Sequence, residues 1–365
     1  MKEQMIDTEN LLIESLTKQG IQLLQQLIET PSFSSEEDKT AALLEQWFRD
    51  HNIPYQRENN NVWAYNQHFD KNKPTILLNS HHDTVRPNGN YTNDPFKAFI
   101  KDEKLFGLGS NDAGGCLVSL LATFTYFYAE EQLCYNIVMV ASAEEESSGK
   151  KGLNSVLPEL EPIDFAIVGE PTLMQLAIAE KGLMVVDVSV NGTAGHAAHP
   201  NDDNAIYNAL SVIQWFKTYQ FDKISPTLGT VKMTVTQIHA GKQHNVVPAS
   251  CDFVVDIRVN DLYTNQEILN RIKDELPETV TITPRSMNLG SSSIAMEHPV
   301  VQSGIALGRG TYGSPTLSDQ AVLTCPSLKL GPGDSTRSHS ADEFIYVNEI
   351  EEGIALYIKI LKGIL

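Results

Sequence analysis

Four short apolar runs stop abruptly at acids or histidines, and no other feature narrows the fold as far. "TILLNS" ends on His81-His82-Asp83, "NIVMVASA" on Glu144-Glu145-Glu146 and "DFAIVG" on Glu170, while "PSLKLG" leads through a Gly-rich loop to His339. Apolar runs of this length, bounded by turn residues, read as strands buried on both faces. Segments with helical apolar spacing separate them. These are 10–29, 36–52 behind the capping types of "TPSFSSEE", the apolar "CLVSLLATFTYFYAEE", a short helix near 150–157, one near 297–309 and a closing helix 347–364. "NVWAYN" adds a further strand. Strands alternating with helices predict an α/β fold, a mostly parallel sheet with helices on both faces.

The character changes at about Lys181. "LMVVDVSV" is a strand, "DDNAIYNALSVIQWFKTY" a helix, "GTVKMTVTQI" and "SCDFVVDIRV" paired strands, "NQEILNRIKDEL" a helix and "TVTITPR" a last strand. That order, β-α-β-β-α-β, is ferredoxin-like and makes a compact unit by itself. The expected organisation is a discontinuous metal-binding catalytic domain, 1–180 and 288–365, carrying an inserted α+β domain over 181–287. A chain of 365 residues has the length for both.

Charge and composition exclude some partners. A net charge of -19 without a basic stripe argues against nucleic acid and against anionic membrane. No run approaches the roughly 20 apolar residues of a membrane span. The start, "MKEQMIDTENLLIESL", has no apolar signal core, so export is not expected. Cys116, Cys134, Cys251 and Cys325 are widely spaced, read as buried thiols of a reducing compartment, and place the protein in the cytoplasm.

Ligands of open parallel sheets gather beyond the carboxyl ends of the strands, so the four polar run-ends can converge on one crevice. Asp112, in the "GSNDAGG" loop before a helix, belongs with them. Two divalent cations would relieve the repulsion within the glutamate triplet. Imidazole with carboxylate suits zinc best, with cobalt, manganese or iron as alternatives. Paired hydrolytic metals stand about 3.5–4 Å apart. Along a strand only i and i+2 share a face, so His81 and Asp83 act together and His82 points elsewhere. Asp83 then accepts the second ring N–H of His81 and fixes its tautomer.

In that order along the chain, these residues resemble the M20-type zinc peptidases and amidohydrolases, which include acetylornithine deacetylase, succinyl-diaminopimelate desuccinylase, aminoacylase and glutamate carboxypeptidase. "SHHDTVRP", "GLGSNDAGG", "AEEESS", "VGEPT", "GTAGHAAHP" and "HNVVPASCDFVVDIR" are similar to successive family motifs, from about residue 15 to the C-terminus. The resemblance implies that Asp112 bridges two metals and is followed by a cis peptide bond to Ala113. It implies His81 and Glu170 on the first metal, Glu146 and His339 on the second, and Glu145 as general base. Glu144 is structural. It further implies His196 as the donor to the oxyanion, often from the partner subunit of a homodimer, with His199 off the motif. Asn245 and Arg258 would hold the substrate carboxylate, for which an arginine fork is suited.

Three positions depart from the family pattern: Leu108 replaces an Arg, Gly114 a Lys, and Ala321 the Arg of a segment that here reads "TLSDQAVL". Loss of that last cation speaks against a diacid product. The expected activity is removal of an acetyl or succinyl group from an amino acid such as ornithine, citrulline or lysine. A dipeptidase or aminopeptidase, and an inactive binding protein on the same scaffold, are the alternatives. All ligands and the base are present, which favours an enzyme.

Overall fold

Every residue of the strands Thr75–His81 and Asn136–Ser142 is buried. Their side chains divide by the period of two. Ile76, Leu78, Ile137, Met139 and Ala141 enter the large core, whereas Leu77, Val138 and Val140 enter a smaller one with Trp63, Leu153 and Val156. A strand that must bury both faces is apolar at successive positions, which is why no alternation is visible in these runs.

The computed structural model describes residues 2–365, with side chains from Glu9 onward; residue 1, where the expected first domain starts, lies outside the described residues. The chain divides into two compact units: Met1–Ile178 with Ser293–Tyr312 and Ser318–Leu365, and Ala179–Ser292 with Gly313–Leu317. The expected insert 181–287 falls inside the second.

In the first unit the sheet path runs Gln56–Glu58, Asn61–Tyr65, Asn136–Ser142, Thr75–His81, Phe165–Val168, Ser327–Lys329, Leu176–Glu180. The four central strands of this path are parallel and the flanking pairs antiparallel. Register brings His81 level with Ser142, and Asn79 level with Val168, so the loops carrying the acids leave from one edge. The helix Gly115–Phe127 is apolar nearly all round and lies between the sheet, the long helix Lys2–Ile28 and the closing helix Val347–Lys362. A separate small sheet, Phe99–Lys101, Lys104–Phe106 and Phe344–Tyr346, was not expected.

In the second unit four antiparallel strands run in the order Lys232–Ala240, Ser250–Val259, Gly182–Asn191, Val280–Pro284. Met184, Val186, Val188 and Val190 face the helices Ala205–Thr218 and Asn265–Glu275 across one apolar cluster. Asn204 caps the first helix, and a Thr264–Glu267 capping box starts the second. The opposite face carries polar residues such as the Asp187–Arg285 pair.

No described helix is long and apolar enough to cross a membrane. The four cysteines are free thiols, but only Cys116 and Cys251 are buried; Cys325 is half-buried and Cys134 exposed, so burial is not what they share.

Candidate metal centre

His81 is the last residue of its strand and is buried. Its Nδ1 faces two oxygens of Asp83, the main-chain carbonyl at 3.0 Å and carboxylate Oδ1 at 3.4 Å. The nearer acceptor is thus the backbone and not the expected carboxylate. An Nδ1 facing oxygens keeps its proton, so in the neutral ring the lone pair is on Nε2. Nε2 is buried and has no hydrogen-bond partner. Around it stand Asp112 Oδ1 at 3.4 Å, Glu170 Oε1 at 3.9 Å and Glu145 Oε2 at 4.0 Å.

The Asp112 carboxylate presents its other oxygen, Oδ2, to His339 Nε2 at 3.6 Å. His339 Nε2 also lies 3.0 Å from Glu146 Oε2. Two triads of donor atoms result, His81–Asp112–Glu170 and Asp112–Glu146–His339, with the donors of each within 4.8 Å of one another and Asp112 in both. A cis peptide bond joins Asp112 to Ala113.

The electrostatics call for positive charge here. Burial favours a neutral His81 imidazole, but the carboxylates of Asp112 and Asp83 outweigh it and hold its pKa well above the ordinary value. Contact with Glu146 raises His339 to about 9. Burial, reinforced by Glu170, Asp319 and Glu146, pushes Glu145 well above the usual carboxylate range despite His81. An orphaned imidazole nitrogen ringed by carboxylates is a donor set that fits divalent ions of the zinc or cobalt type.

The triplet divides its work. Glu144, at a φ of 55°, turns its carboxylate away to accept Ser35 Oγ at 2.7 Å and the N–H of Lys151 at 3.0 Å. His82 also faces away, between Thr40 Oγ1 and the Asn60 carbonyl, each at 2.9 Å, and burial lowers its pKa to about 4. Asp83 has a role that strand spacing did not suggest. Its carboxylate accepts the N–H groups of Glu145 and Glu146 at 3.0 and 3.1 Å, and Ser34 Oγ at 2.7 Å.

Asp319 was overlooked as well: it is buried, accepts Ser142 Oγ at 2.5 Å, and burial raises its pKa to about 6. Its one signal was a place within "TLSDQAVL". Leu108 and Ala321 are buried apolar residues. At Gly114 a Cβ would meet Gly109 O at 2.5 Å and Leu24 Cδ1 at 2.6 Å, so the backbone there leaves no room for a lysine.

The remaining candidates belong to the second unit. His196 is exposed and pairs across a two-residue ladder with Val246. Asn245 is its neighbour, its carbonyl accepting the N–H of Ala197 at 3.0 Å. The His199 ring lies 5.6 Å from that of His196. Arg258 directs Nε and Nη2 to the two oxygens of Asp256 at 2.9 and 3.2 Å, so two of its N–H groups are engaged.

The chain is similar to known proteins along nearly its whole length. It is 26% identical over 381 residues to succinyl-diaminopimelate desuccinylase 2 of Ruegeria sp. (strain TM1040), covering 94% of each chain. To acetylornithine deacetylase of Klebsiella pneumoniae (strain 342) it is 28% identical over 361 residues, covering 89% of this chain and 92% of the relative. Among solved structures it shares the fold of the Bacillus subtilis YXEP protein, a dinuclear metal binding peptidase from the M20 family. The TM-score is 0.74 at 15% identity, covering 96% of this chain and 98% of that one. The model of peptidase family M20/M25/M40 matches residues 77–363, and the chain belongs to that family.

Proposed function

We propose that this member of the M20 family is a metal-dependent amidohydrolase. It removes an acetyl or succinyl group from an amino acid such as ornithine, citrulline or lysine. The observation that carries this reading is the pair of triads sharing Asp112, with the Glu145 carboxylate beside them. His81, Asp112 and Glu170 would hold one ion and Asp112, Glu146 and His339 the other, zinc by preference or cobalt. Bound there, the ions polarise the amide carbonyl and acidify a water.

Glu145 is the general base. It takes the water proton on a carboxylate oxygen and returns it to the leaving nitrogen, and a burial-raised pKa suits it to hold that proton near neutral pH. Asp83 orients His81 through Nδ1 and the Glu145–Glu146 backbone through its carboxylate, so ligand and base are set by one group. From the second unit, the lid and dimerisation domain of this reading, His196 donates to the substrate's carbonyl oxygen. Asn245 and the N–H groups that Arg258 leaves free anchor the carboxylate. A cytoplasmic homodimer completes the proposal; exposed Tyr207, Leu210, Ile238 and Val246 on the second unit support the dimer.

A panel of N-acetyl and N-succinyl amino acids and dipeptides, assayed with zinc and with cobalt, tests the reading. Turnover of acyl amino acids is expected. Turnover confined to dipeptides would establish the peptidase alternative. Both ions bound without turnover of any member would leave a binding protein.

A further inference from the structure

Glu343 stands four residues beyond His339, and the chemistry above makes no use of it. The residue is only 1% exposed, and both carboxylate oxygens point at a single loop. Oε2 accepts the N–H of Gly109 at 3.0 Å, and Oε1 accepts those of Asn111 and Asp112 at 2.8 and 2.9 Å. The main-chain carbonyl of Glu343 takes a further N–H, that of Gly107, at 3.0 Å. In this loop Gly107 and Gly109 have φ of 146° and 74°, and its amides converge as an anion-binding concavity instead of joining a ladder. A buried carboxyl group is costly where no donors face it, and these N–H groups offset part of that cost.

We propose that Glu343 is the positioning residue for Asp112. It holds the loop 107–112 so that the Asp112 carboxylate keeps one oxygen toward His81 and the other toward His339. The inference rests on the dinuclear reading and adds to it how the shared carboxylate is aimed. Further contacts make the brace two-sided. Asn111 Oδ1 accepts the N–H of Asp334 at 3.0 Å, and its Nδ2 donates to the Asp334 carbonyl at 3.1 Å. Asn88 Nδ2 donates to the His339 carbonyl at 3.2 Å, and Asp342 accepts the N–H groups of Thr92 and Asn93 at 3.0 and 2.9 Å. The segment bearing His339 and Glu343 is therefore anchored while Glu343 grips the Asp112 loop. Since Asp112 belongs to both triads, loosening it weakens two ions, whereas loosening any other ligand weakens one.

The test is a cobalt titration of the full chain, wild type against Glu343→Gln. Visible absorption reports coordination, and competition with a chelating indicator gives the affinities. Glutamine keeps the shape but turns an NH2 group toward one set of N–H donors. Both cobalt affinities are expected to fall about 10- to 100-fold. The cobalt bands should shift, and kcat should fall while KM stays within about twofold. Glu343→Asp, which keeps the carboxyl group one methylene short, should lie between. A lower urea midpoint with both affinities and the spectrum unchanged would overturn the proposal. If the glutamine variant does not fold, wild-type cobalt binding by the aspartate variant overturns it equally. Wild-type protein that binds fewer than two ions removes the dinuclear reading and this proposal together, a result read separately from any failure of the brace.

Discussion

Asp83 and Glu146 are joined by a hydrogen bond: the Asp83 carboxylate accepts the Glu146 N–H at 3.1 Å, and its other oxygen accepts the adjoining Glu145 N–H at 3.0 Å. One buried acid thereby positions two consecutive main-chain amides. Asp83→Asn would place an NH2 group against one of those amides. We expect kcat or metal affinity to drop about 10- to 100-fold while the protein stays folded. Steady-state kinetics beside circular dichroism check this, and unchanged kcat and affinity would remove Asp83 from the site.

Glu145 Oε2 stands 4.0 Å from His81 Nε2 but belongs to neither triad of donors. Glu145→Gln is therefore expected to keep both metals and lose turnover by about 10²- to 10⁴-fold. Metal content by elemental analysis, paired with activity, separates a base from a ligand. A variant that turns over like wild type excludes the assignment.

Removal of metal should act on stability as well as on rate. Carboxylates that crowd Asp112 repel one another without a cation between them, and an ion that binds only the folded chain adds about 2.7 kcal/mol at a hundredfold excess over its Kd. Chelator is expected to abolish activity and lower the melting temperature, with zinc or cobalt restoring both. A chelated protein that melts unchanged would contradict metal binding at this centre.

Gly114→Ala should destabilise the fold, because the added carbon meets the Gly109 carbonyl at 2.5 Å. The expected loss is about 1–3 kcal/mol, read from urea denaturation. Wild-type stability in this variant would show that the loop can shift, and that a lysine there is not excluded by space.

Dilution tests the partner's role. If His196 acts across a homodimer, activity per chain should fall as protein is diluted below the dimer's dissociation constant, in step with sedimentation mass. An active monomer refutes action in trans.

Much of this architecture could be read from residues alone, because burial on both faces writes itself into composition. Thr75–His81 and Asn136–Ser142 announce themselves as strands, and Gly115–Phe127 as a buried helix, through apolar content alone. The acids and histidines at run-ends were visible because a charged residue beside an apolar run is conspicuous. The small sheet was not. Its strands are three residues long, one of them arrives from Phe344–Tyr346, and it is held by stacked Phe99 and Phe106 with Lys104 over Phe344. Short pieces paired across such a separation leave no periodicity. Glu343 was hidden for a different reason: its partners are main-chain amides, which every residue possesses and no sequence displays.

Strand register carries a last consequence. His81 is level with Ser142, and His82 faces the other way toward Thr40 and Asn60. Loss of one residue from the run Thr75–Ser80 would slide His82 into the place of His81 and leave an imidazole there, though with Thr84 standing in for Asp83. Gain of one residue would bring Ser80 instead, a hydroxyl with no comparable affinity for a cation. Length changes in this stretch are thus unequal in their damage, and the second histidine is what makes shortening the milder of the two.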